Sequence, residues 1–435
     1  METTKWWQSA VIYELYVDKF AGTFRGLAEK MGYFETLGVN TLHILPHYPS
    51  PMVDDGYDIS DYRNIRPELG TLRDFEIFMR EAKKRGIHVI LDLVLNHVSR
   101  KHPWFKSAAS SKTGPWRDFF LWSETGKELQ DAPNMFPHLK PRNSQNWIYN
   151  PATHDYYFAT FYAEQPDLNW NNPKVFTEMT SVMDFWINLG VNGFRIDAAG
   201  HLIKKEGTRS EGIPETHVIL KQIRAHLEKY ASHAILLAEV YNSVDEIKKY
   251  FGSGAENECH MAYLFPLTER ISMAALKNNN LPVEEMVRAS FDIPAACSWA
   301  IPLTSHDGLT LNTLTGTDRN EFLAYCDSEH KYAFLTDSSI SMRMANIFKK
   351  NPEKIRSAFD MLLRLPAVPI IYYGEEIGME NDTTIGTPRD TRRYVRGKFD
   401  WRLAEIQQSD PDSLFNFIRK LTREHMRVAQ RGLKS

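Results

Sequence analysis

The sequence has no apolar run of the about 18 residues that mark a membrane-spanning helix. Its start, METTKWWQSAVIYELYV, also lacks a compact apolar stretch that ends in a small-residue cleavage site. The formal net charge is only -3, so no basic excess points to nucleic acid or another polyanionic partner. We therefore expect a cytoplasmic protein that binds neither membranes nor nucleic acid.

Cysteine is scarce as well. Cys259, Cys297 and Cys326 are an odd number, lie far apart and form no CxxC pair. This spacing provides neither a disulfide framework nor a thiolate metal site. We expect three reduced thiols without a catalytic role.

Short apolar segments alternate with helical periodicity along most of the chain. We predict strands at residues 11–17, 41–46, 88–94, 193–198, 234–240, 261–266, 297–303 and 368–373. Strands that alternate with helices are typical of parallel pairing, and eight such units predict an α/β fold, the closed (β/α)8 TIM barrel.

One connection is far too long for a turn, because about a hundred residues separate the third predicted strand from the fourth. We predict that residues 99–170 form an inserted subdomain beside the barrel mouth, with the barrel built from residues 1–98 and 171–435. The sequence closes with an amphipathic helical pattern near 411–430, and no C-terminal β-sandwich is expected.

Acidic residues follow four of the predicted strands: Asp92, Asp197, Glu239 and Asp307. Catalytic groups of such barrels lie where strands end, so these side chains are expected to meet at one mouth. Each acid alone fits a solvated loop or a helix cap. Together they crowd negative charge into a low-dielectric site, which is costly unless basic partners and a function justify it. Candidate partners are Arg195, His97 and His306.

Two of these carboxylates fit the roles of a double displacement at a sugar carbon. Arg195 stands two residues before Asp197, so both side chains share one face of a strand, and we expect the guanidinium to hold the aspartate ionised as a nucleophile. Glu239 ends the apolar run AILLAEV, so we expect desolvation to raise its pKa, as suits a proton donor.

The segments DLVLNH, GFRID, AEV and HD resemble, in order, the signature regions of glycoside hydrolase family 13, the α-amylase family. The resemblance begins at AVIYELYVDKF and continues through DDGYDISDY and QPDLN to PIIYYGEEIGM. It implies a retaining enzyme that acts on α-glucosides. It also implies that Asp197 is the nucleophile, Glu239 the general acid/base, and Asp307 a binder of the hydroxyls of the distorted sugar.

The same resemblance implies a set of sugar-binding residues. Tyr57 is expected to stack on the sugar in the cleaved position, and His97, Arg195 and His306 to bind its hydroxyls; Gln165 of QPDLN completes this group. In relatives that remove glucose from a non-reducing end, an aspartate at the position of Asp54 pairs with a late arginine. Counting back from Trp401 indicates Arg396 as that arginine, with Arg392 as the alternative.

Within the family, PSPMVDDGYDISDY, NHVSRKHPWF and ECHMAYLFPL resemble trehalose synthases and oligo-1,6-glucosidase-like members, which act on short α-glucosides. Two residues depart from that pattern: Ser305 stands where the family usually has asparagine, and Gly308 where trehalose synthases have glutamate. We therefore expect hydrolysis or transglucosylation of disaccharides and short oligosaccharides at least as much as maltose/trehalose isomerisation. An endo-acting α-amylase and an inactive glucan-binding barrel stay as alternatives.

Calcium is bound by several oxygen ligands at once, commonly six to eight. The acidic, glycine-punctuated loop that many relatives carry after the first strand is missing. Near Asn96 and Asp167, Lys204 resembles the lysine that replaces the ion in oligo-1,6-glucosidase-like members. We predict no obligatory calcium and no other cofactor.

Overall fold

The computed structural model describes residues 5–141, 145–253, 256–335 and 338–432. Eight parallel strands close into a barrel, in which each strand pairs with the next and the last pairs with the first. They are β1 (Ile12–Leu15), β2 (Thr41–Ile44), β3 (His88–Val94), β4 (Gly193–Asp197), β5 (Ile235–Ala238), β6 (Met261–Tyr263), β7 (Ser298–Pro302) and β8 (Val368–Tyr372). Each lies within a predicted segment, so the predicted barrel is confirmed.

The helices surround and connect these strands. The α-helices are α1 (Val17–Phe20), α2 (Phe24–Glu29), α3 (Met31–Leu37), α4 (Leu72–Lys84), α5 (Pro103–Ser110), α6 (Pro173–Asn188), α7 (Pro214–Tyr230), α8 (Val244–Lys248), α9 (Phe265–Lys277), α10 (Leu281–Ser290), α11 (Gly316–Cys326), α12 (Met344–Ile347), α13 (Pro352–Arg364), α14 (Trp401–Ser409) and α15 (Leu414–Gly432). Short 3-10 helices span Trp6–Ser9, Pro67–Leu69, Arg117–Phe119, Pro137–Leu139, Ala199–His201, Lys249–Phe251, Glu375–Ile377 and Thr391–Val395.

Helix α4 shows how the sequence sets these elements. Thr71 and Asp74 form a capping box at its start, which satisfies backbone N–H groups that have no partner inside the helix. Phe75, Phe78 and Ala82 recur at helical spacing and are fully buried against the barrel, as their periodicity predicts.

The inward-facing positions of the barrel strands form two layers, one apolar and one polar. Inward-facing apolar side chains such as Ile12, Ile90 and Leu237 contact one another in one buried cluster. Two residues further along each strand, on the same face, the chain carries Glu14, Asp92 and Glu239. The strands therefore place a ring of charged groups next to the apolar layer, at the carboxyl end of the barrel.

The connection between β3 and β4 contains α5 and a three-stranded antiparallel sheet of Trp122–Ser123, Trp147–Asn150 and Asp155–Phe158. Aromatic side chains such as Phe105 and Tyr157 pack between the helix and the sheet. The boundaries at 99 and 170 stay a prediction. Two further strand pairs join Gly252–Ser253 to Glu256–Asn257 and Leu309–Thr310 to Ser339–Ile340.

The cysteines and the helices can be compared with the expectations from composition. The three cysteines are free, with Cys259 buried and the other two half-buried. Among the described residues, every helix is too short or too polar to cross a bilayer.

Candidate active site

Arg195 of β4 lies at the centre of the polar layer. The register of β3 and β4 places Asp92 opposite Arg195. The buried guanidinium donates from Nη1 to Asp92 at 2.9 Å and to Asp197 at 2.8 Å, and from Nη2 to Glu239. The predicted contact between Arg195 and Asp197 is therefore present, and the same cation also holds the second catalytic candidate.

The charge balance of this cluster differs from the prediction for Asp197. Burial raises the pKa of Asp197 well above its ordinary value, because one arginine is shared among three carboxylates and its lowering effect is outweighed. Arg195 lowers the pKa of Asp197, as expected, but burial and the charges of Glu239 and Asp92 act against it. Burial also raises the pKa of Glu239, as predicted. Two neighbouring carboxyl groups with raised pKa values favour a state in which they share one proton.

Glu239 has two further partners. Its Oε2 accepts a hydrogen bond from the backbone N–H of Ala198 at 3.0 Å, and its Oε1 one from the hydroxyl of Tyr241 at 3.2 Å. The ring of Tyr241 stacks on Phe265, with 4.2 Å between centroids and 3° between planes. Sequence reasoning missed both aromatic residues, although Tyr241 stands only two positions after the acid.

The hydroxyl of Tyr57 belongs to a buried hydrogen-bond network. Its hydroxyl lies 2.8 Å from Asp92 Oδ2 and 2.7 Å from His306 Nε2. His306 Nδ1 lies 3.0 Å from Oε1 of Glu14, whose Oε2 lies 3.2 Å from Nδ1 of His43. Glu14 and His43 face each other in the register of β1 and β2. Both were missed, and the signal was a charged residue in the otherwise apolar strands IYEL and TLHI.

Asp307 follows β7 and is surrounded by positive charge. Burial works to raise its pKa, but His306, Arg392 and Arg396 together lower it to about 2. Arg396 donates to Asp307 at 2.7 Å and to Asp55 at 2.6 Å. Asp307 is therefore ionised at neutral pH.

The predicted pair of Asp54 and Arg396 is wrong. Asp54 pairs instead with Arg392, the alternative, at 2.8 Å between Oδ1 and Nη2. The reason is local: Thr391–Val395 forms a short helix capped by Asp390, and this turn directs Arg392 towards Asp54 while Arg396 reaches Asp55 and Asp307. Gln165 donates to the other oxygen of Asp54 at 3.0 Å.

His97 and Lys204 occupy neighbouring positions on one side of the site. His97 is buried and its Nε2 has no protein partner among the described residues. Burial lowers its pKa to about 4, so the ring is neutral. Lys204 Nζ lies 2.8 Å from Asp167 and 2.8 Å from Asn96, and it also donates to the carbonyl of His201.

These groups line or support a cavity of about 370 Å³, a size in the range of ligand pockets. Its lining includes six of the predicted residues: Asp54, Tyr57, His97, Asp197, Glu239 and Asp307. The other four predicted sugar-site residues lie behind that lining, each bonded to one of its members: Arg195 to Asp197, Gln165 to Asp54, His306 to Tyr57 and Arg396 to Asp307. The geometry thus brings all the predicted site residues together, whereas their individual roles stay predictions.

Residues 15–431 match the family model described as the α-amylase catalytic domain. The chain is 38% identical to a trehalose synthase from Pimelobacter sp., over 88% of this chain and 69% of that protein. Identity to a trehalose synthase from Thermus thermophilus is also 38%, over 98% of this chain and 47% of the other. An oligo-1,6-glucosidase from Heyndrickxia coagulans is 30% identical over 98% of this chain and 76% of its own length.

Solved structures agree on the fold. A trehalulose synthase from Pseudomonas mesoacidophila superposes with a TM-score of 0.77 at 24% identity, covering 97% of this chain and 84% of that one. The matching family model, the relatives and the barrel with its carboxylates lead to one assignment. The chain belongs to the α-amylase family, glycoside hydrolase family 13, and is a retaining enzyme that acts on α-glucosides.

Proposed function

We propose that the protein takes one glucosyl unit from the non-reducing end of short α-glucosides, disaccharides above all, and transfers it to another sugar or to water. The observation that carries this proposal is the buried pair of Asp54 and Arg392 in the cavity wall. Arg392 also donates to the hydroxyl of Tyr162 at 2.7 Å and to Asp390 at 2.9 Å. A wall tied together in this way favours a pocket for one sugar over a groove for a chain.

The first chemical step uses the shared proton of the two raised-pKa carboxyl groups. Glu239 gives its proton to the glycosidic oxygen while the carboxylate of Asp197 attacks C1, so the C1–oxygen bond breaks and a covalent bond from C1 to Asp197 forms. Two carboxylates that share one guanidinium lie close together, which favours the about 5 Å separation of retaining enzymes. Asp307, ionised, accepts hydrogen bonds from hydroxyls of the sugar as its ring flattens.

The second step reverses the roles. Glu239, now a carboxylate, takes a proton from the hydroxyl of an acceptor, whose oxygen attacks C1 and displaces Asp197. The product keeps the α configuration because C1 is inverted twice. Arg195 contacts both catalytic carboxylates throughout, so it balances the charge that moves between them.

The acceptor binds on the side of Glu239. The stacked rings of Tyr241 and Phe265 line the cavity there and offer an apolar face to the CH groups of a sugar. The identity to trehalose synthases supports an acceptor that is itself a glucose unit, as in isomerisation. Gly308 and Ser305 also line this cavity. A trehalose synthase is expected to have glutamate and asparagine at these two positions. Their absence favours transfer to other acceptors and hydrolysis alongside isomerisation.

We further propose that the enzyme needs no calcium. The ammonium of Lys204 already occupies the space among the oxygens of Asp167, Asn96 and His201, where a dication would meet a positive charge. Among the described residues, no group of three acidic, histidine or cysteine side chains is placed to hold a metal ion.

The proposed function is tested by incubating the protein separately with maltose, trehalose, sucrose and maltoheptaose and resolving the products over time. We expect glucose and rearranged or lengthened disaccharides from the short substrates, and only glucose as the unit removed from maltoheptaose. Formation of maltopentaose together with maltose before any glucose or maltohexaose would refute the single-unit pocket. Unchanged substrates would refute the substrate class.

A further inference from the structure

The guanidinium of Arg392 packs against two aromatic rings from distant parts of the chain. Its Cζ is 4.8 Å from the ring centre of Phe136 and 4.4 Å from that of Phe334. The two rings also contact each other, with 5.1 Å between centroids and 67° between planes. A guanidinium against aromatic faces is held by cation–π attraction and dispersion while its edge stays free to donate hydrogen bonds.

Three separate connections meet at this point. Phe136 belongs to the connection between β3 and β4, Phe334 to that between β7 and β8, and Arg392 to the segment after β8. All three are buried and all three line the cavity. We propose that Phe136 and Phe334 limit the donor pocket to one glucosyl unit by holding Arg392 against Asp54. This inference rests on the proposed function, because it concerns the donor side of the same cavity.

Hydrogen bonds and aromatic packing act together on Arg392. Its guanidinium is within reach of three carboxylates: Asp54 at 2.8 Å, Asp390 at 2.9 Å and Asp307 at 3.5 Å. Nη2 donates to Asp54, to Asp390 and to the hydroxyl of Tyr162 together, so these bonds set the plane of the guanidinium. The two rings pack against the guanidinium and leave it little room to move away from Asp54.

Gly308 explains how Phe334 reaches this position. Ile340 pairs with Leu309 next to the site and bridges to Ala333, and the backbone N–H of Phe334 donates to Ser339 at 3.2 Å. Gly308 has a φ of +89°, and a Cβ there would lie 2.1 Å from the carbonyl oxygen of Ile340. A glutamate at this position would therefore push away the segment that carries Phe334. Glycine at position 308, where trehalose synthases have glutamate, therefore permits the Phe334 ring to pack against Arg392.

The test uses maltoheptaose whose terminal O4 and O6 are blocked by an ethylidene acetal. Products that carry the acetal on two or more sugar units form from this substrate only if the donor side accepts more than one unit, and these products are what is counted as cleavage. Phe334→Leu keeps an apolar side chain but removes the ring, whereas Phe334→Tyr keeps the ring. We expect cleavage of the blocked substrate, relative to maltose, to rise about tenfold or more in Phe334→Leu and to stay at the unaltered level in Phe334→Tyr.

Two outcomes separate this inference from the proposed function. Cleavage of the blocked substrate by the unaltered enzyme would refute the single-unit pocket itself. If the unaltered enzyme leaves it intact and a folded Phe334→Leu also does so, the ring is not what limits the pocket. Phe136→Leu removes the second ring that packs on the guanidinium and replaces Phe334→Leu if circular dichroism shows that variant to be unfolded.

Discussion

Nη2 of Arg392 lies 2.8 Å from Oδ1 of Asp54, and both side chains are buried in the cavity wall. A lysine at position 392 would keep the charge but lose the planar, multiple-donor geometry that joins Asp54 to Asp390 and Tyr162. We expect Arg392→Lys to lower kcat/KM for maltose by about 10- to 100-fold, as for a weakened buried charge pair. Steady-state kinetics on maltose measure this.

Arg393→Lys is the matched control for that substitution. Arg393 is the next residue, is partly exposed and contacts the carbonyls of Met52 and Val53. We expect it to change kcat/KM less than about threefold, as is usual for a partly exposed charge. Equal losses in the two variants would contradict a special role for Arg392.

The roles of Asp197 and Glu239 can be separated by the anomer that azide forms. With α-glucosyl fluoride, whose leaving group needs little protonation, Glu239→Ala still forms the covalent intermediate on Asp197. Azide then attacks C1 of that intermediate and gives α-glucosyl azide. In Asp197→Gly, azide displaces fluoride directly and gives the β anomer. Nuclear magnetic resonance identifies the products, and the same anomer from both variants would contradict the assignment.

The pH dependence of kcat/KM should respond to the charge of Asp307. Burial raises the pKa of Glu239, and the negative charge of Asp307 raises it further. Asp307→Asn removes that charge, which favours the ionised form of Glu239 and lowers its pKa. We therefore expect the alkaline limb of the profile to move to lower pH, in addition to a loss of rate. Asp318→Asn, on the surface helix α11, is the control and should leave the limb in place.

The barrel and its catalytic carboxylates could be predicted because both depend on local pattern. Apolar strand segments of the right length specify the barrel. A charged residue at the carboxyl end of such a strand must then lie at the mouth of the barrel. Arg392 could not be separated from Arg396 in this way. Both stand in an irregular segment without periodicity, and its short helix is stabilised by the cap of Asp390 and by contacts with distant parts of the chain.

The buried network of Glu14, His43 and His306 shows a second limit of prediction from the sequence. Glu14 and His43 stand out as polar residues in apolar strands, but their partners depend on strand register and on the placement of His306, which lies 292 residues from Glu14. The ring of Phe334 over Arg392 is similar, because it joins two connections that have no sequence signal in common. Contacts between loops therefore required the structure.

Lys204 and its neighbour offer a direct test of the calcium proposal. The side chain of Lys204 is buried and holds Asp167 at 2.8 Å, so Lys204→Met would leave a buried carboxylate without its cation. We expect a loss of about 3–5 kcal/mol of unfolding free energy, measured by denaturant titration, and no loss of wild-type activity in a chelator. Lys205→Met removes a half-exposed lysine paired with Glu215 and should cost less than about 1 kcal/mol. Inactivation of the wild type by the chelator would contradict the proposal.

Lys140 should give the protein a pH-dependent stability. Its buried ammonium donates to Asn146 at 2.9 Å and to the carbonyls of Ala159 and Thr160 at 2.6 and 3.0 Å. Burial lowers the pKa of Lys140 from 10.5 to about 7. Between these values the unfolded chain binds more protons than the folded one, so stability rises with pH. This gain in unfolding free energy is complete above pH 10.5 and is lost as the pH falls to about 7.

Lys140→Met removes this titration, so the comparison of two proteins isolates it from all other groups. The unfolding free energy of the wild type minus that of Lys140→Met should rise with pH from about 7.5 to 9.5, by at most about 1.4 kcal/mol per pH unit. Denaturant titrations at several pH values measure the difference. Lys127→Met, at an exposed position in the same connection, is the matched control for the loss of a lysine. A flat difference for Lys140→Met would show that the ammonium keeps its proton throughout this range, held by its three oxygen partners.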